Sequence, residues 1–237
     1  MSITVYWASL NDEWMRATSP EPILKRFYKD YHISSKEKTS LKAINYCPVF
    51  NERIKNLYAI KSIYDYNFKV DVEKNTCTTD LYDQNFFNSH VGIRSLEDKF
   101  FSFYNQYIFF TDQKSLEMSA YEHPVFEENE ITKRCIIIPG MYDIGKWFRP
   151  LEFAFILKKD FNEFKVNYQD VLYYLRFHTK ENIIFKQFKM TQSLDEMSKS
   201  SMHVAGNHYK RFGSIEEFYN IFKLKNKVLE EIKNNLL

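Results

Sequence analysis

The sequence predicts a mainly β (α+β) fold: an antiparallel β-sandwich or jelly-roll-like core with a short N-terminal helix and a long C-terminal amphipathic helix. Apolar and polar residues alternate in short runs between Cys135 and Met190, which is typical of consecutive antiparallel strands that each bury one face. Aromatic residues make up 18% of the chain, with 22 Phe and 17 Tyr, and these supply a large core. Strand and helix patterns do not alternate regularly, which disfavours a parallel βαβ architecture.

The N-terminal segment predicts one strand and one short helix. Residues 3–8 alternate between apolar and polar side chains, as a strand does. A turn with two prolines follows, and its second proline, Pro22, suits the start of a helix. Because Ile23, Phe27 and Tyr31 recur at helical spacing, a short helix is expected over residues 23–31.

The central part of the chain predicts further strands. Residues 57–62 and 66–72 have the composition of two strands separated by a turn. Residues 100–111 are strongly β-forming, and residues 115–121 are a weaker partner. The three residues 112–114 would then form a tight hairpin connection.

The C-terminal part predicts a second unit that packs on the first. Residues 191–213 are polar and predict a loop with a little helix. Ser214 and Glu217 have the spacing of a capping box, and apolar residues follow at near-helical spacing to the end of the chain. We therefore expect a β-rich core domain over residues 1–190, with a loop and a C-terminal helix over residues 191–237.

Charge and composition restrict the partners and the location. The 33 Lys and Arg are interleaved with 31 Asp and Glu, so no basic stripe is present and nucleic acid is not the expected partner. The first residues lack the pattern of a signal peptide, and no run approaches the roughly 18 apolar residues of a membrane span. An odd number of widely spaced cysteines argues against a disulfide framework. These features predict a cytoplasmic protein without membrane contact.

Familiar catalytic motifs are missing from the sequence, including the nucleophile elbow, the P-loop, the dinucleotide-binding glycine pattern and the zinc-protease helix motif. A jelly roll suggests an iron site made of two histidines and a carboxylate. The nearest approximations are Glu122 and His123 with His178, or His203 with His208. Histidines five residues apart in a polar loop are more typical of solvated side chains, so neither a metal site nor a cofactor is predicted.

The run around Arg176 has two interpretations. On a strand, Tyr174, Arg176 and His178 share one face. If that face lines a cavity, Arg176 would bind a carboxylate or phosphate in bidentate fashion, and His178 would act as an acid or base. If the face points to solvent, both are ordinary exposed polar residues. The sequence favours the exposed interpretation, because outer faces of antiparallel sheets are normally polar.

The segment from Trp147 to Pro150 is a second cluster with two interpretations. As a binding platform, Trp147 would offer an aromatic face against which the Arg149 guanidinium lies. As a structural element, Trp147 and Phe148 would be buried at the start of a strand, with Pro150 marking its entry. The aromatic character of the whole chain favours the structural interpretation.

Several short segments carry a resemblance to known proteins. These segments are Trp14-Met15, Pro20 with Pro22, Cys47-Pro48, Tyr58-Ala59-Ile60 through Asp65, Ile138-Pro139-Gly140 and Trp147-Phe148-Arg149-Pro150. In this order they resemble a group of uncharacterised proteins of similar length that are encoded by tailed phages of marine bacteria and by some bacteria. The resemblance covers residues 14–190 and departs where a His-Pro-Asn-like element is replaced by Glu122-His123-Pro124. It implies a phage protein of the host cytoplasm or the virion, and it assigns no catalytic residue.

Two hypotheses about function follow. The first is a non-enzymatic β-sandwich protein that acts through protein contacts, as a virion or host-interaction component, with homo-oligomerisation as an option. The alternative is a jelly-roll enzyme, of the non-haem-metal oxygenase type, that acts on a small acidic or amino-acid-like ligand. In the alternative, Arg176 and Arg149 would hold the anionic group, Tyr174 and Trp147 would line the pocket, and His178 would be the acid or base.

Overall fold

A computed structural model describes residues 2–10, 17–23, 25–26, 47–104, 107–124, 126–207 and 224–237 of the chain. Strands predominate over helices in these residues, as the composition predicts. The strands are β1 (Ser2–Ser9), β2 (Glu21–Pro22), β3 (Leu57–Lys61), β4 (Tyr66–Asp71), β5 (Thr76–Thr79), β6 (Val91–Ser95), β7 (Phe100–Phe103), β8 (Tyr107–Thr111), β9 (Glu117–Glu122), β10 (Cys135–Ile137), β11 (Gly140–Asp143), β12 (Phe153–Leu157), β13 (Glu163–Val166), β14 (Val171–Phe177) and β15 (Asn182–Gln187). The helices are α1 (Pro48–Ile54), α2 (Gln84–His90), α3 (Glu130–Arg134), α4 (Gln192–Asn207) and α5 (Leu224–Asn234).

The described strands form four sheets. A five-stranded sheet has the order β11-β9-β14-β3-β2, and a four-stranded sheet has the order β10-β12-β7-β6. Two three-stranded sheets have the orders β13-β4-β5 and β15-β1-β8. The pairs are antiparallel except for β1 with β15, which is parallel. The prediction of a mainly β protein with antiparallel sheets is therefore confirmed, but not every pair is antiparallel.

The strands expected between Cys135 and Met190 are present, but those that follow one another in the chain do not pair with each other. Strand β10 pairs with β12, which is not its neighbour in the chain, and the other partners lie elsewhere: β12 also pairs with β7, β11 with β9, β13 with β4, β14 with β3 and β9, and β15 with β1. Alternation specifies which face of a strand is buried, and it carries no information about the neighbouring strand.

The predicted hairpin across residues 112–114 is also wrong. Strand β8 pairs with β1, and β9 pairs with β11 and β14. The reason is Ile144, which separates the two strands: its carbonyl accepts from the Thr111 amide at 3.2 Å, and its amide donates to the Leu116 carbonyl at 3.0 Å.

The main core is built from aromatic rings contributed by different sheets. Phe103 of β7 stacks on Tyr66 of β4, with 4.0 Å between ring centroids. Phe153 of β12 stacks on Tyr173 of β14 at 4.9 Å. Offset stacking at these distances adds to the free energy gained by burying the rings. The four-stranded sheet is thereby packed against both the five-stranded sheet and the β13-β4-β5 sheet.

Strand β1 is buried on both faces and connects the main core to a second cluster. Val5 and Trp7 belong to the main core, whereas Tyr6 and Ala8 face the second cluster. The second cluster also contains side chains of both C-terminal helices, which are Leu194, Met197, Val228, Leu229 and Ile232. None of the helices in the described residues is long and apolar enough to cross a membrane.

Residues 192–207 correct the prediction of a loop, because they form the helix α4. The Thr191 hydroxyl accepts a hydrogen bond from the Leu194 amide at 3.2 Å and so caps the start of the helix. Leu194 and Met197 are the described side chains of this helix in the second cluster. Because so few of its residues are apolar, the helical periodicity of apolar residues in the sequence is weak. The predicted terminal helix is observed as α5, while the capping box at Ser214 and Glu217 lies outside the described residues.

The short N-terminal helix can be followed only at its start. Ile23, Lys25 and Arg26 are helical, and the rest of the predicted range, to Tyr31, lies outside the described residues.

Candidate interaction surface

The four-stranded sheet has apolar side chains on both faces. Its inner face is in the main core, with Phe101 and Phe155 fully buried. On the other face Ile136 of β10 lies opposite Ile156 of β12, which in turn lies opposite Phe100 of β7. Residues directly opposite in an antiparallel pair point to the same side of the sheet, so these three side chains form one row.

A second row runs beside the first. The Ile138 amide donates to the Ala154 carbonyl at 3.0 Å, which extends the β10–β12 ladder by one residue. Ile138 and Ala154 lie two residues along from Ile136 and Ile156, and therefore on the same side of the sheet. The exposed fraction is 52% for Ile136 and 36% for Ile138. We call the surface formed by Phe100, Ile136, Ile138, Ala154 and Ile156 the outer face.

The outer face was not among the sites predicted from the sequence, although one signal for it was present. Ile136, Ile137 and Ile138 are consecutive, and a strand cannot turn three consecutive side chains to one buried side. The structure buries Ile137 and leaves its two neighbours on the outer face. The outward position of a solvated antiparallel strand is normally polar. The two isoleucines in that position are an exception to this pattern.

A cavity of about 360 Å³ opens beside the outer face. Its walls are Arg94, Phe100, Tyr142, Trp147, Arg149, Glu152 and Ala154. Phe100 and Ala154 belong to both the cavity and the outer face, so the two features are continuous. We call this space the Trp147 cavity.

The positive charges of the Trp147 cavity have different surroundings. Arg94 forms an ion pair with Glu152, and its Nε donates to the Ser102 hydroxyl at 3.2 Å. The Arg149 guanidinium lies 5.1 Å from the centroid of the Trp147 ring. Its Nε is buried and has no hydrogen-bond partner among the described residues. Arg149 therefore keeps unused hydrogen-bonding capacity next to the cavity.

A turn stabilised by Asp143 supports Trp147. One carboxylate oxygen of Asp143 accepts from the Ser115 hydroxyl at 2.6 Å, and the other accepts from the amides of Leu116 and Gly145, both at 3.0 Å. The Trp147 amide donates to the Asp143 carbonyl at 2.9 Å. Burial acts to raise the pKa of Asp143, but these hydrogen bonds outweigh it and hold the pKa below its ordinary value of 3.8.

The Trp147–Pro150 segment divides its side chains between the core and the Trp147 cavity. Phe148 is buried in the second cluster, where its ring lies edge-on to Phe110 at 5.3 Å. Trp147 and Arg149 line the cavity. Pro150 forms an isolated bridge to Ile108, and the next strand, β12, begins only at Phe153. The segment is therefore a loop between strands and not the entry to one.

Each of the three guanidinium nitrogens of Arg176 already donates a hydrogen bond within the protein. Its Nε and Nη2 donate to the two carboxylate oxygens of Glu122, at 2.8 and 3.2 Å, and its Nη1 donates to the Arg53 carbonyl at 2.7 Å. The side chain is 12% exposed. This bidentate pair holds β14 against β9, and Arg176 is not part of the cavity lined by Arg149.

Tyr174 and His178 also have separate surroundings. Tyr174 is buried in a small apolar cluster with Ala59 and Ile23, and burial raises its pKa well above the ordinary range. The register of β14 shifts between Val171 and Tyr173, and Leu172 packs in the main core instead of beside Tyr174. The predicted division of this strand into two alternating faces therefore does not hold.

His178 follows the end of β14 and is exposed. Its Nε2 is 2.6 Å from the Ser119 hydroxyl, and no further hydrogen bond of its ring is present among the described residues. A serine hydroxyl next to a histidine is the first half of a nucleophilic site, but the group that would orient the histidine is missing from the described residues. Of the residues that the enzyme hypothesis assigns to one ligand, Trp147 and Arg149 share a cavity, whereas Tyr174, Arg176 and His178 do not line it.

The described part of the chain offers little for metal binding or for thiol chemistry. No group of three or more His, Cys, Asp or Glu side chains is close enough there to hold a metal ion. Burial raises the pKa of Cys77 to about 12 and also raises that of Cys135, so both thiols are protonated at neutral pH. The side chains of His32, His203 and His208 lie outside the described residues.

A second, larger cavity of about 1190 Å³ lies between the β4–β5 hairpin and the loop before β13. Its charged side chains are largely used within the protein. Arg134 donates to Glu163 at 2.7 Å, and Lys99 donates to the carbonyls of Lys159 and Phe161 at 2.9 and 3.0 Å. These contacts join the walls of the cavity: Arg134 of α3 to Glu163 of β13, and Lys99 to the loop before β13.

Comparison with known proteins adds no relative: no family model matches the chain, and no curated protein sequence is significantly similar to it.

Proposed function

We propose that this protein is a β-sandwich module that acts by binding another protein through its outer face. The observation that carries the proposal is the pair of apolar rows on the four-stranded sheet, with Ile136 about half exposed. Contiguous exposed apolar surface bordered by polar groups is typical of protein interaction sites. The adjoining aromatic and arginine residues, Trp147, Tyr142 and Arg149, are of the types enriched in interfaces.

A partner other than a second copy of this chain fits the charges better. Glu152, the carboxylate of the Trp147 cavity, is already paired with Arg94, while Arg149 has no acidic partner among the described residues. A second copy would bring the same unpaired cation and no free carboxylate from its own outer face. A heterologous partner can supply one.

The resemblance of several segments to proteins of tailed phages supports a phage setting for this interaction. In that setting the partner would be a virion protein or a protein of the infected cell, and the location would be the virion or the host cytoplasm. The interleaved charges support a protein partner over nucleic acid.

Substitution of one outer-face residue tests the proposal. Peptides selected from a random displayed library for binding to the purified protein should bind Ile136→Glu at least about tenfold more weakly, because the substitution buries a carboxylate in an apolar contact. The matched control is Ile184→Glu, since Ile184 is 46% exposed on β15, away from the outer face. Circular dichroism checks that both variants are folded.

Selected peptides that bind both variants equally, or the absence of any enriched peptide, would contradict the proposal. Light scattering after size-exclusion chromatography provides an independent check. A dimer that Ile136→Glu dissociates and Ile184→Glu does not would make a second copy the occupant of the outer face.

A further inference from the structure

We infer that the Trp147 cavity binds a carboxylate, contributed by an Asp or Glu side chain of the protein partner, and that Arg149 is the residue that holds it. This inference rests on the proposed function and assigns one chemical group to the partner. It is carried by the orientation of Arg149, by the charge inside the cavity, and by the position of the cavity next to the outer face.

The first step is the orientation of Arg149. Its guanidinium lies against the Trp147 ring, and Trp147 is itself fixed by an edge-on contact with Tyr142 at 5.5 Å between centroids. An arginine whose plane is held by an aromatic ring loses little entropy on forming a bidentate pair with a carboxylate. No hydrogen bond or ion pair of Arg149 is present among the described residues, so its partly exposed guanidinium has donors left for a ligand.

The second step is the charge inside the cavity. The ion pair between Arg94 and Glu152 leaves the charge of Arg149 uncompensated. The aromatic walls, Phe100, Tyr142 and Trp147, reduce the access of water and so strengthen attraction to an anion. The cavity is an electrostatic match for a single negative charge.

The third step is the position of the cavity. A volume of about 360 Å³ accommodates one side chain and excludes a folded element. Because Phe100 and Ala154 border both the cavity and the outer face, a peptide lying on Ile136 and Ile156 can place an acidic side chain at Arg149. Its neighbouring apolar side chains then cover the isoleucines.

The test uses three short peptides and the full-length protein. The first is Ac-Ile-Glu-Leu-NH2, the second replaces Glu by Gln, and the third is Ac-Ile-Leu with a free C-terminal carboxylate. Heteronuclear NMR follows the Arg149 Nε–H and Trp147 indole N–H signals during each titration. The Glu peptide should shift both signals in a saturable way, and it should bind about tenfold or more tightly than the Gln peptide.

Two variants of Arg149 provide the controls. Arg149→Gln should reduce the affinity for the Glu peptide to that of the Gln peptide. Arg149→Lys keeps the charge but not the bidentate geometry, and it should recover only part of the affinity. Added salt should weaken binding of the Glu peptide and leave the Gln peptide unaffected.

Equal shifts from the Glu and Gln peptides, or an unchanged affinity in folded Arg149→Gln, would overturn the inference. Binding of the free-acid peptide alone would also overturn it, since the group recognised would then be a chain terminus. These failures leave the proposed function standing, because a partner can cover the apolar rows without using Arg149. Failure of the proposed function is seen separately, as peptide binding that Ile136→Glu does not change.

Discussion

At the scale of single residues, one carboxylate organises the support of the Trp147 cavity. Asp143 accepts three hydrogen bonds that join the start of β9 to the turn after β11. The same turn presents Trp147, whose ring orients Arg149. Gly145 is required there, because a Cβ at this position would lie 2.7 Å from the Gln113 carbonyl oxygen. The cavity thus depends on residues that do not line it.

Replacement of Asp143 by Asn should lower the free energy of unfolding at neutral pH by about 1–2 kcal/mol, because one hydrogen-bond acceptor and the charge are lost. The pKa of Asp143 is lowered in the folded protein, so its contribution is complete above the ordinary value of 3.8 and disappears as the pH falls through the folded value. Chemical denaturation at neutral and at strongly acidic pH should show the difference between wild type and variant shrinking in acid. The exposed neighbour Asp112, as Asp112→Asn, is the control.

At the scale of secondary-structure elements, helix α5 is attached to the β-sheet core by one lysine as well as by apolar contacts. Lys225 donates to the carbonyls of Gln113 and Gly145, the latter at 2.7 Å, and lies 5.9 Å from the centroid of the Phe110 ring. Val228 and Ile232 of the same helix are buried in the second cluster. The lysine places α5 directly behind the turn that carries Trp147.

Lys225→Met should reduce the free energy of unfolding by about 1–2 kcal/mol, because two backbone carbonyl groups, one of them partly buried, lose a charged donor while the apolar stem is kept. Lys227→Met, at an exposed position of the same helix, should change it by less than about 0.5 kcal/mol. Urea denaturation followed by tryptophan fluorescence measures both. Equal effects of the two substitutions would show that the contact does not attach the helix.

At the scale of the whole molecule, Phe103 is where several strands meet. Its ring contacts Tyr66 of β4, Phe164 of β13 and Phe153 and Phe155 of β12, at centroid distances between 4.0 and 5.8 Å. The packing of the four-stranded sheet on the β13-β4-β5 sheet therefore depends on this residue. Phe103 lies on the inner side of the four-stranded sheet, and the outer face is the opposite side of that sheet.

Phe103→Ala should lower the free energy of unfolding by about 3–5 kcal/mol, since it removes a fully buried ring at a junction that cannot collapse without moving two sheets. Phe103→Leu, which keeps most of the apolar volume, should cost about half as much. Thermal unfolding monitored by circular dichroism distinguishes them. A loss below about 1 kcal/mol for the alanine variant would contradict the central position of this ring.

Local pattern predicted individual strands well, because alternation is a property of a single strand. Residues 3–8, 57–62 and 66–72 are strands in the structure, at or within two residues of the expected bounds. Trp147 and Arg149 were candidates from the sequence because both belong to one short segment. The surface they adjoin was missed, since it combines residues of β7, β10 and β12.

The sequence by itself determined that this chain forms strands and that its interior is aromatic. Only the tertiary structure decided that β15 runs parallel to β1, that Arg176 is paired with Glu122, and that the outer face joins the Trp147 cavity. The physical reason is the distance along the chain over which each kind of information acts. Burial preference is encoded residue by residue along a strand, whereas pairing depends on the free energy of the complete packed arrangement, in which distant residues compete for the same neighbours.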